Sequence, residues 1–479
     1  MENEINSHKH LDDANAFCQL QQEIPEGSYL KKDFRSWVED KKKDDMNYSE
    51  SSLDKNEEYT INSNNDKENT QFDLFQRAMK AILRYGQWVG LNPVTAILNH
   101  DIAKIRFKLC SWRFFYTIIL ATFQALISIV SVYNHHPTHP GYTVKFFIFW
   151  SLSLASVCTT IIFIQIASKW EILLKEILNC HLDKYIDKGI SFWCDLSSIV
   201  FLILAIVEYV VYFMWEISEV LECAEIVDYN TIEIIVRNMD PAIFEIGIPY
   251  SIPIAILLQV NNIFTSANWT LADVYIICIS LYLTSMLKEI NKKILWVADK
   301  NYLSPSIWGT LREDYSRATR LIRRFDDVFS GLILLSFANN LSWICVQIFN
   351  VLDNGIKPQH KSLEECPYHR TTPFHGYERS IYVVFSLIFL IVRFTTMCLV
   401  AASVNVASSV PASGLYRVPS CAYSLEVRRF LDQVHDDVVA LTGMKYFHIT
   451  RDLVLSMAGT ILTYELVLLQ LSSEELDNA

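Results

Sequence analysis

Four ionisable residues, Glu208, Asp273, Arg393 and Glu465, interrupt otherwise apolar runs of this sequence. A charged side chain at membrane depth costs about 3 kcal/mol on insertion scales, so such residues usually form pairs or serve a function. A rise of about 1.5 Å per residue puts Glu208 and Arg393 at similar heights in their helices. The spacing therefore predicts an ion pair between Glu208 and Arg393, with either a structural or a ligand-facing role. Asp273 lies somewhat nearer the outside and has no evident partner.

Amide and carboxylate side chains recur beside aromatic rings in the outer halves of the same runs. A sugar is uncharged, carries many hydroxyl groups and has apolar C–H faces, so its site combines hydrogen-bonding groups with flat rings. Hydrogen bonding between membrane helices explains the same residues, and for each residue taken singly it is the preferred interpretation. The candidate sugar-binding residues are Glu208, Tyr212, Gln259, Asn262, Trp269, Asp273, Asn339, Asn340, Trp343 and Gln347.

The elements that position these side chains are long apolar helices. The chain has 479 residues, of which 51% are hydrophobic and 13% aromatic, and a membrane-spanning helix needs about 20 apolar residues. We therefore predict an all-α polytopic membrane protein with seven transmembrane helices. The seven runs are 114–132, 146–167, 196–215, 246–287, 328–352, 380–404 and 453–471.

The distribution of Lys and Arg predicts the orientation of the helices. Run 246–287 is long enough for two crossings, but two crossings would put the basic segment 288–329 on the same side as 217–245, where Arg237 is the one basic residue. We therefore predict one elongated helix there. Because most Lys and Arg residues then fall in loops on the N-terminal side, the N-terminus is expected inside and the C-terminus outside.

The polar segments divide the chain into a core and two tails. Residues 1–69 have the composition of a disordered cytoplasmic tail, whereas 70–471 form the seven-helix domain and 472–479 an extracellular tail. Two amphipathic helices, beginning near Thr70 and Ser424, are expected to pack on the cytoplasmic ends of the spanning helices. We expect spanning helices to extend into the cytoplasm, chiefly over 288–329 and 405–451.

The sequence gives no indication of a metal site, a cofactor or an enzyme. The 11 cysteines include no CxxC pair and have no His partner at metal-ligand spacing, and no acid pair or nucleophile stands at catalytic spacing. His135, His136 and His139 lie together in one outside loop, where a solvated loop is expected and not a metal site. Cys223 and Cys366 are the cysteines in predicted outside loops, where they could form a disulfide or remain free. The net charge of −12 comes largely from the N-terminal tail and does not indicate nucleic-acid binding.

The last apolar run has one polar stripe, formed by Thr463, Val467 and Gln470, with Leu471 at its edge. A hydroxyl, a narrow apolar belt and an amide suit a pore wall, but one copy cannot enclose a pore, so symmetry would be required. An ordinary packed last helix fits this periodicity as well.

This terminal run, with Thr463, Tyr464 and Gln470, resembles the last span of the insect gustatory receptors, although Leu471 stands where that family usually has Phe. Three further segments, 75–94, 336–350 and 424–451, look like the sugar-sensing branch. The resemblance covers roughly 72–471.

The resemblance implies a homotetrameric, sugar-gated, non-selective cation channel, in the plasma membrane of gustatory receptor neurons. Mono- or disaccharides would bind in the outer half of each helical bundle. The pore would be lined by the last helix, at Thr463, Tyr464, Val467, Gln470 and Leu471. Monovalent and divalent cations, membrane lipid and sister sugar-receptor subunits are the further partners expected. A sugar transporter and a G-protein-coupled receptor are the alternatives.

Overall fold

The helices follow the apolar runs and extend beyond them. The computed structural model describes residues 70–97, 104–133, 140–187, 189–221, 229–240, 243–244, 247–299, 305–354, 374–420, 422–461 and 463. The helices are α1 (Thr70–Trp88), α2 (Trp112–Tyr133), α3 (Pro140–Asn179), α4 (Ile190–Leu221), α5 (Tyr229–Met239), α6 (Ile252–Ala298), α7 (Pro305–Asn354), α8 (Glu378–Leu415), α9 (Leu425–Asp436) and α10 (451–461). A two-stranded antiparallel ladder, absent from the sequence prediction, pairs β1 (Val94–Thr95) with β2 (Arg106–Phe107).

Six helices of the described residues are long and apolar enough to cross a membrane, namely α2, α3, α4, α6, α7 and α8. They match the first six predicted runs, so the all-α polytopic class is confirmed. The seventh run begins in α10, and beyond residue 461 only residue 463 of that run is described. The predicted tails, 1–69 and 472–479, lie outside the described residues, as do Cys223 and Cys366.

Helix α6 is the centre of the bundle. It is one continuous helix of 47 residues, as the distribution of basic residues predicted. Its spanning part is far more buried than that of the other five helices, because α3, α4, α7 and α8 all pack against it. Helix α6 therefore contributes its polar side chains to the interior of the bundle and not to lipid.

The segments rich in Lys and Arg meet at one end of the bundle. Lys184, in the connection between α3 and α4, pairs with Asp314 of α7 at 3.0 Å. On the other side of α7, Arg312 pairs with Glu426 of α9 at 3.0 Å. Arg312 and Asp314 lie on the part of α7 that precedes apolar run 328–352, and Glu426 of α9 follows run 380–404. The helices therefore extend past the membrane on the side predicted to be cytoplasmic.

Helix α1 packs on this end through one apolar face. Phe75 is fully buried, and its ring meets those of Tyr282 at 5.0 Å and Phe325 at 5.9 Å. The helix ends before Gly90, whose φ of +82° favours glycine because a Cβ is strained there. The predicted helix near Thr70 and its packing face are both confirmed.

Helix α9 begins as the sequence predicts but ends earlier. Ser424 caps it by accepting a hydrogen bond from the Val427 amide at 3.4 Å. The helix stops at Asp436, and Asp437 is extended. The helical spacing of the apolar residues from Val427 to Leu441 predicts a longer helix with Val438 on its buried face, but Val438 is exposed.

Candidate functional site: a polar column between four helices

Four spanning helices each turn one polar or aromatic stripe towards the space between them. The residues on each helix recur every three or four positions, so they share one face. We define the polar column as Glu208, Tyr212 and Trp215 of α4; Gln259, Asn262, Trp269, Thr270 and Asp273 of α6; Ser336, Asn340, Trp343 and Gln347 of α7; and Tyr382, Ser386, Phe389 and Arg393 of α8.

The deep end of the column is a buried ion pair. Arg393 Nε lies 2.9 Å from Asp273 Oδ2, and the two side chains are 3% and 0% exposed. This contact lacks hydrogen-bond alignment, so it is chiefly electrostatic. The guanidinium donates its hydrogen bonds elsewhere, to the Thr270 hydroxyl at 2.8 Å and to Asn340 Oδ1 at 3.3 Å.

Asn340 links the ion pair to the aromatic wall. Its amide nitrogen donates to both Asp273 oxygens, at 3.1 and 3.2 Å, and its oxygen accepts from the indole of Trp269 at 3.1 Å. The Arg393 guanidinium also lies 4.9 Å from the centroid of the Trp269 ring. Trp269 in turn meets Trp343 at 5.5 Å between centroids. Cation, carboxylate, amide and indole thus hold one another in fixed positions.

The outer end of the column centres on Glu208. Ser386 donates a short hydrogen bond to Glu208 Oε1, and Gln347 Nε2 donates to the Ser386 hydroxyl at 3.0 Å. Gln347 Oε1 is buried without a hydrogen-bond partner among the described residues. A buried amide oxygen is an acceptor that normally finds a donor, so this end has unused hydrogen-bonding capacity.

Aromatic rings stand beside Glu208. Trp215 and Tyr382 stack with centroids 5.4 Å apart and planes inclined by 17°. Tyr212 meets both rings at 6.0 and 5.4 Å. Rings and hydrogen-bonding groups therefore lie together, as the sequence indicated for a sugar site.

A third group of polar residues lies at the outer end of α6, near the end of α5. Tyr209 donates to Gln259 Oε1 at 3.0 Å, and Asn262 donates to both Asp240 oxygens at 3.2 and 3.4 Å. Asp240 follows α5, outside the spanning helices, and is 2% exposed. Burial raises the pKa of its carboxyl to about 7, against the lowering effect of the Asn262 hydrogen bond. Asp240 therefore titrates near neutral pH.

The structure changes the predicted ion pair. Arg393 pairs with Asp273, and among the described residues Glu208 has no cation within ion-pair distance and bonds to Ser386 instead. The prediction of a Glu208–Arg393 contact pair is therefore wrong, although Arg393 lies near enough to interact with Glu208 electrostatically. Helix rise gives the height of a residue but not the direction of its side chain, and Asp273 faces Arg393 from the central helix.

The column includes most of the candidate ligand residues but not all. Asn339 is half-buried, and no hydrogen bond joins it to the column in the described part of the chain. Sequence reasoning missed the hydroxyls of Thr270, Ser336 and Ser386, which bridge the charged groups. Ser and Thr are common in spanning helices, so composition gives no signal for them. Two further residues had a detectable signal in the sequence. Tyr382 is an aromatic residue at about the height predicted for Glu208, and Asp240 is an acid directly before Pro241.

The predicted pore residues lie almost wholly outside the described residues. Thr463 is described and exposed, and its hydroxyl donates to the Gly459 carbonyl at 2.9 Å. Tyr464, Val467, Gln470 and Leu471 are outside the described residues, so the pore stripe stays a prediction. In the part of the chain that is described, no group of three or more His, Cys, Asp or Glu side chains could hold a metal ion.

Comparison with known proteins relates most of the chain to one family. The model of the trehalose receptor family matches residues 46–363 and 368–478. The gustatory receptor for sugar taste 64a of Drosophila melanogaster is 28% identical over 414 residues, covering 84% of this chain and 85% of the relative. The gustatory receptor for sugar taste 64f of the same species is 36% identical over 221 residues, but that match spans 46% of this chain and 43% of the relative.

The fold also matches a solved structure. The insect olfactory receptor OR5 from Machilis hrabei aligns with a TM-score of 0.57 and 15% identity, over 82% of this chain and 97% of that chain. At this identity the likeness shows a shared fold alone. The family match over most of the chain, together with the sugar taste relatives, shows that this chain belongs to the trehalose receptor family, in the sugar-sensing branch of the insect gustatory receptors.

Proposed function

We propose that this protein is a sugar-gated, non-selective cation channel that acts as a sweet taste receptor in the plasma membrane of gustatory neurons. A sugar binds at the outer end of the polar column, and four copies surround a pore lined by the last helix. The names of the relatives, which include sugar taste receptors and a gustatory receptor for trehalose, support the ligand class. The predicted stripe of Thr463 and Gln470 supports the position of the pore.

The observation that carries the proposal is the unpaired oxygen of Gln347 beside Glu208 and a stacked ring pair. Leaving a buried polar group unpaired costs about 1–3 kcal/mol. A ligand hydroxyl that donates to Gln347 Oε1 recovers this free energy. The hydroxyl groups of a sugar supply such donors, and its C–H face packs on the rings of Trp215 and Tyr382.

The deep end of the column acts as a rigid floor for this site in the proposal. Asp273 and Asn340 are saturated by their contacts with each other and with Arg393. The rings of Trp269 and Trp343 are only partly buried, so they offer packing surface above the floor. We therefore assign direct contact with the sugar to Gln347, to the stacked rings of Trp215 and Tyr382 and to these two indoles. Asp273 has an indirect role.

Helix α7 connects the site with the cytoplasmic end. It is one helix of 50 residues that carries both Gln347 and Asp326. Asp326 accepts hydrogen bonds from the Thr442 amide at 2.6 Å and from the Thr442 hydroxyl at 2.8 Å. Thr442 lies shortly before α10, so a displacement of α7 pulls on the segment that leads into the pore helix. A sugar opens the channel by binding the open arrangement more tightly than the closed one.

Electrical recording tests the proposal. The chain is expressed alone in cells that lack taste receptors, and currents are measured against a panel of mono- and disaccharides. We expect concentration-dependent cation currents with at least one sugar. Saturable uptake of labelled sugar without such currents would indicate a transporter, and a response that depends on G protein would indicate the other receptor class.

A pair of variants tests the site within the same recording. Gln347→Leu removes the acceptor at the outer end, and we expect the half-maximal sugar concentration to rise roughly tenfold, the cost of about 1.4 kcal/mol for one hydrogen bond. Asn339→Leu is the matched control, because it removes an amide from the same helix away from the column. Equal dose–response curves for Gln347→Leu and the unmodified chain would remove Gln347 from the site.

A further inference from the structure

Helix α1 has a second face that the packing of the bundle leaves free. Its apolar face is buried, but Arg77, Lys80, Arg84 and Trp88 are exposed. Their spacing of three, four and four residues places them within one narrow arc of the helix. We call these four residues the basic stripe. It ends in an indole that is 68% exposed.

The basic stripe lies where two spanning helices begin. The Ser191 hydroxyl, in the first turn of α4, donates to the Arg77 carbonyl at 3.2 Å. At the other end of α1, the Tyr116 hydroxyl of α2 donates to the Trp88 carbonyl at 2.9 Å. Because both partners lie within the first turns of spanning helices, α1 runs along the boundary between the membrane and the side predicted to be cytoplasmic.

The surface beside the stripe has the character of a lipid boundary. Phe192 and Trp193, next to Ser191, are exposed. The outer face of α4 beyond them is formed by exposed aliphatic side chains, which are Leu196, Ile199, Val200, Ile203, Ile206 and Val207. Aromatic residues gather at membrane–water boundaries and aliphatic ones face the hydrocarbon. The stripe is therefore continuous with a surface that faces acyl chains.

Among the described residues, few acids oppose this positive charge. Asp195 of α4 lies close enough to Lys80 to interact with it electrostatically. Asp73 is in the first turn of α1, where its negative charge interacts favourably with the positive end of the helix dipole. Arg77 and Arg84 have no ion pair among the described residues. The stripe therefore keeps a net positive charge.

We propose that the basic stripe binds the headgroups of anionic phospholipids in the membrane leaflet at this end of the bundle. The three bases contact phosphate and carboxylate oxygens, and Trp88 lies at the headgroup level. A protein that binds amphipathic helices does not suit this surface as a partner. Such a protein would bind the apolar face of α1, and that face is already buried against α3, α4 and α6. Clusters of bases beside a spanning helix are attracted to anionic leaflets by about 1 kcal/mol for each base.

Native mass spectrometry of the full-length protein tests this inference. The purified chain is stripped of lipid in a neutral detergent and titrated with phosphatidylserine and, separately, with phosphatidylcholine. We expect tighter binding of phosphatidylserine. In the variant Arg77→Gln/Lys80→Gln/Arg84→Gln this preference falls by roughly fivefold for each base removed. The matched control, Arg320→Gln/Arg324→Gln/Arg428→Gln, removes three exposed bases of α7 and α9 and keeps the preference.

Several results would overturn the proposal. Equal loss in the two triple variants would show that net charge alone matters. Equally tight binding of soluble glycerophosphoserine would point to a free phosphate ligand and not to lipid. A change of oligomeric state at unchanged lipid binding would make the stripe a contact between copies. Should the triple variant not fold, Arg77→Gln and Arg84→Gln are measured singly, each with an expected fivefold loss, and Lys80→Arg must retain the preference.

Discussion

Replacement of Arg393 by Met is the sharpest perturbation of the polar column. The change removes the guanidinium that lies 2.9 Å from Asp273 and donates to Thr270 and Asn340. Asp273 is then a fully buried carboxylate whose donors are Ser336 and Asn340. Removing one partner of a buried ion pair costs about 3–5 kcal/mol, because the remaining charge is uncompensated. We expect Arg393→Met to destabilise the protein by about this amount.

The double variant Asp273→Leu/Arg393→Met separates the pair from its surroundings. With both charges gone, neither ion of the pair remains buried, and the residual cost is the lost hydrogen bonds of Ser336, Asn340 and Thr270, about 1 kcal/mol each. We therefore expect the double variant to be more stable than either single variant. This non-additivity measures the coupling between the two residues.

The assay is thermal unfolding in detergent, followed by size-exclusion chromatography of a fluorescently tagged chain. A kcal/mol shifts the Tm by about 2–4 °C in a domain of 150–250 residues and by less in a longer chain, so the single variants should melt several degrees lower. Glu208→Gln is the control, since Glu208 has no ion-pair partner among the described residues. Equal melting of Arg393→Met and the double variant would refute the reasoning, because it would mean that Asp273 needs no counter-charge.

Three other changes test separate parts of the molecule. Asp240 has a folded-state pKa near 7, above the ordinary value of about 3.9, so the folded state holds a proton that the unfolded state loses. The free energy of unfolding therefore falls as pH rises from about 4 to about 7, by at most about 1.4 kcal/mol per pH unit, and levels off above pH 7. Asp240→Asn should flatten the Tm–pH curve measured in the same assay. An unchanged slope would assign the pH dependence to another group. Ser424→Ala removes the hydroxyl that caps α9 by accepting from the Val427 amide, and it should lower the free energy of unfolding by about 1 kcal/mol. The control is Ser409→Ala, which changes an exposed serine within α8 and should leave a higher Tm than Ser424→Ala. Gln470→Ala should change ion permeability ratios in bilayer recordings but leave the half-maximal sugar concentration nearly unchanged, and loss of the sugar response with unaltered permeation would count against the predicted pore position.

The sequence predicted the helices well because their cause is local. An apolar run of sufficient length must form a helix in a membrane, and the uneven Lys and Arg distribution distinguished one long α6 from two short helices. The start of α9 was also predictable, since Ser424 followed by an apolar helical pattern is a capping signal. Its end was not, because the chain turns to extended backbone at Asp437 without Gly or Pro to announce it.

The partners of the charged groups could not be predicted in the same way. Height along a helix follows from residue count, but rotation about the helix axis follows from packing with several neighbours. Glu208 and Asp273 are both acids at depths that Arg393 could reach, and α6 faces α8 over a larger area than α4 does. The tertiary contact therefore selected Asp273 as the partner of Arg393, whereas residue height along the helices had favoured Glu208.

The distribution of unpaired atoms in the polar column indicates where a ligand can act. A hydrogen-bonding group without a partner is costly in a membrane interior, so saturated groups stay in place and unsaturated ones attract new partners. At the deep end, Asp273 and Asn340 are saturated by described side chains, and Arg393 Nε, which has no aligned acceptor, is held by the charge of Asp273 at 2.9 Å. At the outer end, Gln347 Oε1 is unpaired. Because both ends lie on α7, a ligand that engages Gln347 acts on the same rigid helix that the deep network anchors. Binding free energy gained at the outer end can therefore move α7 only by straining the Asp273–Arg393 network. Variants that weaken this network and still fold should open at a lower sugar concentration.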